Sequence, residues 1–179
     1  SIKERVLKEI GFKKWIPLIL MYSGMRLNEV SQLRQKDIIK KDDVHCFSLT
    51  DEDDLKLKNL NSKRLIPIHS ALIELGLLDY IDTIYEGNLW GFESGVAGYG
   101  RKAGNWQREL STELCIKQKD ERIKTSHCYR HYVSTKLIHS KADTIATKFL
   151  LGHQHEGITE RVYLDGLPIK ELQTAIEMI

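Results

Sequence analysis

Three prolines, three cysteines and no long apolar run are the first limits this chain sets. No stretch approaches the ~18 consecutive apolar residues that a bilayer-spanning helix needs, and no secretory leader opens the chain. Cys46, Cys115 and Cys128 are odd in number and lack ligand spacing, which argues against a disulfide framework and fits a reducing cytoplasm. Charge of one sign is also scarce. Against 25 Asp+Glu stand 27 Lys+Arg, a net charge of +2, so a nucleic-acid partner is allowed only if the positive groups gather on one face. What is present is ordinary for a globule: 41% apolar and 29% charged over 179 residues, enough for one domain, or one and a small appendage. The first residue is Ser1 rather than Met, as expected of a fragment of something longer.

The pattern is α+β, mainly helical with a small three-stranded antiparallel sheet. Helices are predicted over Lys3–Ile10, ended by Gly11, over Lys14–Tyr22, stopped by Ser23-Gly24, and over Met25–Leu33, where Leu27, Val30 and Leu33 share a face. Ile38-Ile39, a Lys41-Asp42-Asp43 turn and Val44–Leu49 read as a hairpin. Leu65–Ile68 adds a third strand, and its Pro67 suits an edge. Between the last two strands lie Asp51–Asp54 and a polar loop with Lys56, Lys58 and Lys63. Ser70–Tyr80 reads as one amphipathic helix. Gly87–Gly104, holding half of the twelve glycines, follows no strand convincingly and lacks a phosphate-cradling pattern, so a mobile surface loop is expected. Helices resume over Asn105–Ile116, His127–His139 and Asp143–Leu151, the last capped by Gly152. A short helix around Thr159–Tyr163 precedes a final one from Ile169 to the end.

Chemistry gathers in an ordered set. Arg26 falls in the first turn of its predicted helix, where the dipole disfavours a cation by roughly 0.3–1 kcal/mol. An arginine beside free helix N–H groups makes an anion site, and Glu29, three residues on, can fix the guanidinium. His127 and Arg130 repeat the device behind Ser126, a candidate N-cap, with Cys128, Tyr132 and Leu137 free to serve the core. His153 follows the Gly152 cap, and Tyr163 comes ten residues later. Zinc binding by His127, His131, His153 and His155 is disfavoured because Arg130 stands among them. A phosphodiester transition state carries extra charge on its non-bridging oxygens, which guanidiniums clamp, and a tyrosine beside such a clamp can attack phosphorus. Taken singly, each residue has a plainer reading as a solvated charge, a loop histidine or a core aromatic.

Together they resemble the catalytic domain of tyrosine recombinases, specifically prophage and genomic-island integrases. The resemblance rests on Ser23-Gly24-Met25-Arg26-Leu27-Asn28-Glu29-Val30, on Lys58–His69, and on His127-Cys128-Tyr129-Arg130-His131. It continues through Leu150-Leu151-Gly152-His153 and Gly157–Tyr163, in the family's order and over nearly the whole chain. It implies Tyr163 as nucleophile, forming a 3′-phosphotyrosyl link, with Arg26 and Arg130 on the non-bridging oxygens. It also implies Lys58 as general acid for the leaving 5′-oxygen, His127 in proton transfer at tyrosine, His153 as a further phosphate donor and Glu29 supporting the arginines. Lys63 is the alternative lysine. No cofactor or metal is implied. The partner would be double-stranded DNA at attachment sites, bound in the full-length protein by a homotetramer with accessory bending or excision factors, whereas this piece alone would be a monomer. Core-binding and arm-binding domains would precede residues 1–179, and the terminal helix would dock either on a neighbouring protomer or on its own domain. The other readings are a catalytically silent DNA-binding module of the same fold and a type IB topoisomerase.

Overall fold

The computed structural model describes residues 2–50, 63–95, 98–114, 126–153 and 167–179. Helix α1 (Ile2–Val6) is shorter than its periodicity predicts. Val6 is its buried residue while Ile10 is 85% exposed, so no apolar face holds a further turn. Gly11, expected to end that helix, opens the next. Helix α2 (Gly11–Ser23) buries Trp15, Ile16, Leu18, Ile19 and Leu20 and forms the axis of the core. It ends at Gly24 in a left-handed turn (φ 65°), and α3 (Leu27–Ser31) follows at once.

The hairpin forms as the sequence predicts. Strands β1 (Ile38–Lys41) and β2 (Val44–Leu49) are joined by Asp42 and Asp43, both left-handed (φ 50° and 64°), as a two-residue turn requires. Strand β3 (Arg64–Pro67) pairs antiparallel with β2, placing Arg64 opposite Leu49 and giving the order β1-β2-β3. Pro67 lies on an edge strand, where its missing donor is tolerated.

Ser70–Tyr80 is two helices rather than one. Gly76 (φ 87°) turns the chain between α4 (Ser70–Glu74) and α5 (Leu77–Asp82), so that Leu72, Leu77 and Ile81 all reach the core. The glycine-rich stretch also differs from a plain surface loop, because Leu89, Trp90 and Phe92 are buried. Asn88 fixes it: Nδ2 donates to the Ser31 carbonyl (2.9 Å), and Oδ1 accepts the N–H groups of Trp90 and Phe92 (2.9 Å each). The Trp90 indole donates to the Val30 carbonyl (2.7 Å), tying this segment to α3. Helix α6 (Arg101–Glu113) then begins four residues before Asn105.

Helix α7 (His127–His139) has the predicted bounds, although Ser126 is itself helical in φ/ψ and its hydroxyl caps nothing. Tyr132 is exposed, and Val133 with Leu137 supplies the buried face instead. Helix α8 (Thr144–Leu151) is capped by the Asp143 carboxylate, which accepts from the N–H groups of Ile145 (2.9 Å) and Ala146 (2.8 Å), and ends at Gly152 (φ 58°). Helix α9 (Ile169–Ile176) buries Ile169, Leu172, Ala175 and Ile176 against α8 and β3 of its own domain. Of the sequence expectations, the acidic run Asp51–Asp54, Lys56, Lys58, His155 and the Thr159–Tyr163 helix lie outside the described residues.

Gly24 sits where α2, α7 and α8 meet. A Cβ there would lie 2.7 Å from Leu151 Cδ2 and 2.9 Å from Val133 Cγ1. Gly24→Ala is therefore expected to lower stability by about 1–3 kcal/mol, combining left-handed strain with displaced packing. Urea denaturation measures this, and a change within about 0.5 kcal/mol, typical of an inert surface site, would contradict the packing.

Candidate active site

The last turn of any helix leaves carbonyls without intrahelical donors, and its dipole favours cations there. At the end of α8 three successive carbonyls each take a different arginine. Arg64 Nε donates to Leu150 O (3.0 Å), Arg130 Nη2 to Leu151 O, and Arg26 Nη2 to Gly152 O (3.3 Å). Arg130 also donates from Nη1 to Gly24 O (2.9 Å), joining the α2–α3 turn to the end of α8. Residues far apart in sequence thus converge because one helix terminus needs donors and three guanidiniums supply them.

A single carboxylate organises two of the three. Glu29, 4% exposed, receives the Arg26 backbone N–H on Oε2 (2.7 Å) and the Arg26 guanidinium on Oε1 (2.7 Å). Arg64 meets it as a fork, Nη1 to Oε1 (3.2 Å) and Nη2 to Oε2 (3.0 Å). Burial by itself would raise the Glu29 carboxyl. The Arg64 charge and hydrogen bonds, then the Arg26 N–H and guanidinium, outweigh it and hold Glu29 below its ordinary value of 4.5. For Arg130 the balance tips the other way. Burial first, then the Arg26 and Arg64 charges, lower its guanidinium to about 10, which leaves it protonated at neutral pH.

Arg26 stands at the N-cap position of α3, one residue ahead of the first-turn place the sequence predicts. Its extended backbone (φ −77°, ψ 149°) frees the N–H for Glu29. His127 is exposed on the opening turn of α7, three residues before Arg130, with its ring edge-on to His131 (4.9 Å, 89°). His153 is exposed immediately after the Gly152 cap, its N–H donating to Lys148 O (3.1 Å). The structure therefore brings together Arg26, Glu29, Arg130 and the backbone that carries His153. Lys58 and Tyr163 lie outside the described residues; Lys63 is described and exposed, one residue before β3. Nearby Tyr129 is a poor nucleophile, since burial pushes its hydroxyl up to about 12.

Arg64 is the residue that sequence reasoning missed. Its signal was an arginine opening the otherwise apolar strand Arg-Leu-Ile-Pro, beside Ser62, where it served only to align the lysine loop. It is 9% exposed and packs so closely under the α8 cap that a Cβ on Gly152 would lie 2.8 Å from Arg64 Nη1. Among the described residues, Glu29 pairs with Arg26 and Arg64 while Arg130 beside them bonds only carbonyls, a local surplus of positive charge suited to an anion.

A mainly helical domain with a three-stranded antiparallel sheet and this helix-end arrangement has the fold of a tyrosine recombinase catalytic domain. Two solved structures share it. The integrase from mycobacterium phage Brujita superposes with a TM-score of 0.61 at 18% identity, covering 98% of this chain and 54% of that one. The Tn1549 transposon integrase, solved in complex with transposon right end DNA, gives a TM-score of 0.58 at 18% identity, covering 100% and 63%. Transposase A from transposon Tn554 of Staphylococcus aureus is 30% identical over 152 residues, 82% of this chain and 42% of the relative. The phage integrase family model matches residues 12–168, and the chain belongs to that family. It spans less than half the length of that transposase relative.

Arg64→Lys keeps the charge but loses the planar fork that serves Glu29 and Leu150 together. Losing one such charge-assisted hydrogen bond is expected to destabilise the domain by about 1.5–3 kcal/mol in urea denaturation. An unchanged unfolding midpoint would mean the fork holds nothing together.

Proposed function

We propose that this chain is the catalytic domain of a site-specific DNA recombinase that integrates or excises a mobile element through a 3′-phosphotyrosyl intermediate at Tyr163. The observation that carries the reading is the meeting of Arg26 and Arg130 at the end of α8, beside His153, with more guanidiniums than carboxylate. Fixed cations of this kind stabilise the charge that builds on non-bridging phosphate oxygens. Glu29 and the helix-end carbonyls hold them before substrate arrives, so little reorganisation remains for the reaction. Family membership supports recombinase chemistry, and the solved complex of the Tn1549 relative with transposon end DNA supports duplex DNA as substrate.

In this scheme the Tyr163 oxygen attacks the scissile phosphorus as the bond to the 5′-oxygen breaks. Arg26, Arg130 and His153 hold the phosphate, His127 moves the tyrosine proton, and Lys58 protonates the departing 5′-oxygen. The reverse attack by a 5′-hydroxyl reseals the strand, so the phosphodiester bond energy is kept and no nucleotide is consumed. Core-binding and arm-binding domains would precede this piece in the full protein, and four protomers would act on two duplexes.

The test is a nicked suicide duplex bearing an end of the element, incubated in EDTA with the full-length protein or with Tyr163→Phe and run on a denaturing gel. A covalent protein–DNA band is expected for wild type and none for the variant. A band surviving in Tyr163→Phe would assign the nucleophile to another residue. Absence of a band from both, on DNA shown to be bound, would reduce the chain to a binding module. Supercoil relaxation without exchange between two duplexes would favour the topoisomerase reading.

A further inference from the structure

The chain as a whole has almost no charge surplus, but its charge is unevenly distributed, and the segment that follows Arg130 is one of the basic stretches. Residues 126–153 carry Arg130, Lys136, Lys141 and Lys148 against the single carboxylate of Asp143. That surplus of three exceeds the +2 of the entire chain, so the rest is net acidic. Asp143 is moreover committed to capping α8 through the N–H groups of Ile145 and Ala146. The α7–α8 helix pair is thus one of the chain's positively charged surfaces, as a polyanion partner requires.

This pair also bounds a groove of about 570 Å³, whose lining includes Ser134, Lys141, Thr144, Thr147, Lys148 and His153. His153, which directly follows the Gly152 cap that Arg26 holds, lines one end of the groove and is the residue it shares with the candidate active site. From there it follows the seam between the two helices to the turn at Lys141. Eight helical residues span about 12 Å, and the phosphates of one extended DNA strand are spaced at about half that distance or slightly more, so the seam is long enough for two of them. No aspartate or glutamate among the described residues lines it. Among the described residues neither the Lys141 nor the Lys148 ammonium is paired with a carboxylate. Hydroxyls and lysines together are the groups that contact sugar–phosphate backbone without reading base sequence.

We propose that the α7–α8 groove is a backbone subsite, in which Lys141 and Lys148 bind the phosphates next to the one held by Arg26 and Arg130. The proposal rests on the recombinase reading, because it takes that phosphate as its starting point. The groove extends the grip on one strand past the reacting position and fixes the direction in which the strand leaves the site. Its contribution to binding is independent of base sequence and sensitive to salt.

The experiment uses this chain and a fluorescein-labelled 30-base-pair duplex of arbitrary sequence, with anisotropy titrations at several salt concentrations from 50 to 200 mM. Each phosphate contact contributes roughly 0.9 to the slope of log affinity against log salt, so Lys141→Gln/Lys148→Gln should flatten the wild-type slope by about 1.8. Lys8→Gln/Lys13→Gln, with Lys8 just after α1 and Lys13 in the first turn of α2, both outside the groove, should leave it unchanged. Both lysines of the groove pair lie at the surface rather than in the core, and circular dichroism verifies that the fold is retained. If wild type binds with a clear slope and the groove variant keeps it, the subsite is overturned while the recombinase reading stands. If the control pair flattens the slope equally, the charge acts diffusely and the groove is not a site. If wild type shows no binding at 50 mM salt, the subsite is overturned, while the recombinase reading is decided separately by the covalent band from the full-length protein.

Discussion

Three arginines from three parts of the chain are held by the last carbonyls of one helix, and a single buried carboxylate spaces two of them. Arg64 comes from the start of β3, Arg26 from the start of α3, and Arg130 from the first turns of α7. All three end on consecutive carbonyls of Leu150, Leu151 and Gly152. Without the Gly152 turn the carbonyl of that residue would not face Arg26, and with any side chain there the Arg64 guanidinium would be displaced. The same condition recurs at Gly24, whose carbonyl takes Arg130 and whose missing side chain lets α7 and α8 close on α2. Both glycines belong to the site although neither touches a reacting group.

Gathering like charges beneath a surface is costly, and the structure meets that cost locally. Glu29 neutralises part of the charge, while the helix end supplies partial negative charge at the one place where it is geometrically fixed. Arg130 feels both its burial and, after that, the neighbouring Arg26 and Arg64 charges, which together lower its pKa. A phosphate entering beside these groups would complete the balance that protein groups alone leave open, so binding energy is directed at the position where charge develops. The hydrophobic frame does the rest. Buried α2 is the body against which α3 and α7 are set, and the Asn88–Trp90 segment braces α3 from its far side.

Much of this is legible in the sequence. The type I′-like hairpin at Asp42-Asp43, the Gly152 cap and the bounds of α7 follow from local rules that tertiary packing did not override. The Arg26–Glu29 contact follows from their spacing. The misreadings share a different cause. Ile10, Gly76 and the Gly87–Gly104 stretch look periodic or loose in sequence, but what decides them is whether a neighbouring surface exists to bury them. Ile10 has none, whereas Leu89 and Trp90 find α3. Arg64 escaped notice for the same reason: an arginine opening a strand reads as an edge charge until the carboxylate and carbonyl that receive it are seen together.

The arginine pair around Glu29 is set in the DNA-free protein, with the carboxylate ionised between Arg26 and Arg64. Carbon-13 NMR of the glutamate side-chain carboxyls, followed as pH is lowered from neutral, tests it on the protein itself. The Glu29 resonance, assigned by its loss in Glu29→Gln, is expected still to report a carboxylate when the pH has fallen to the ordinary glutamate value of 4.5. Titration at or above that value would mean that burial outweighs the two guanidiniums, and that the clamp is not assembled before DNA arrives.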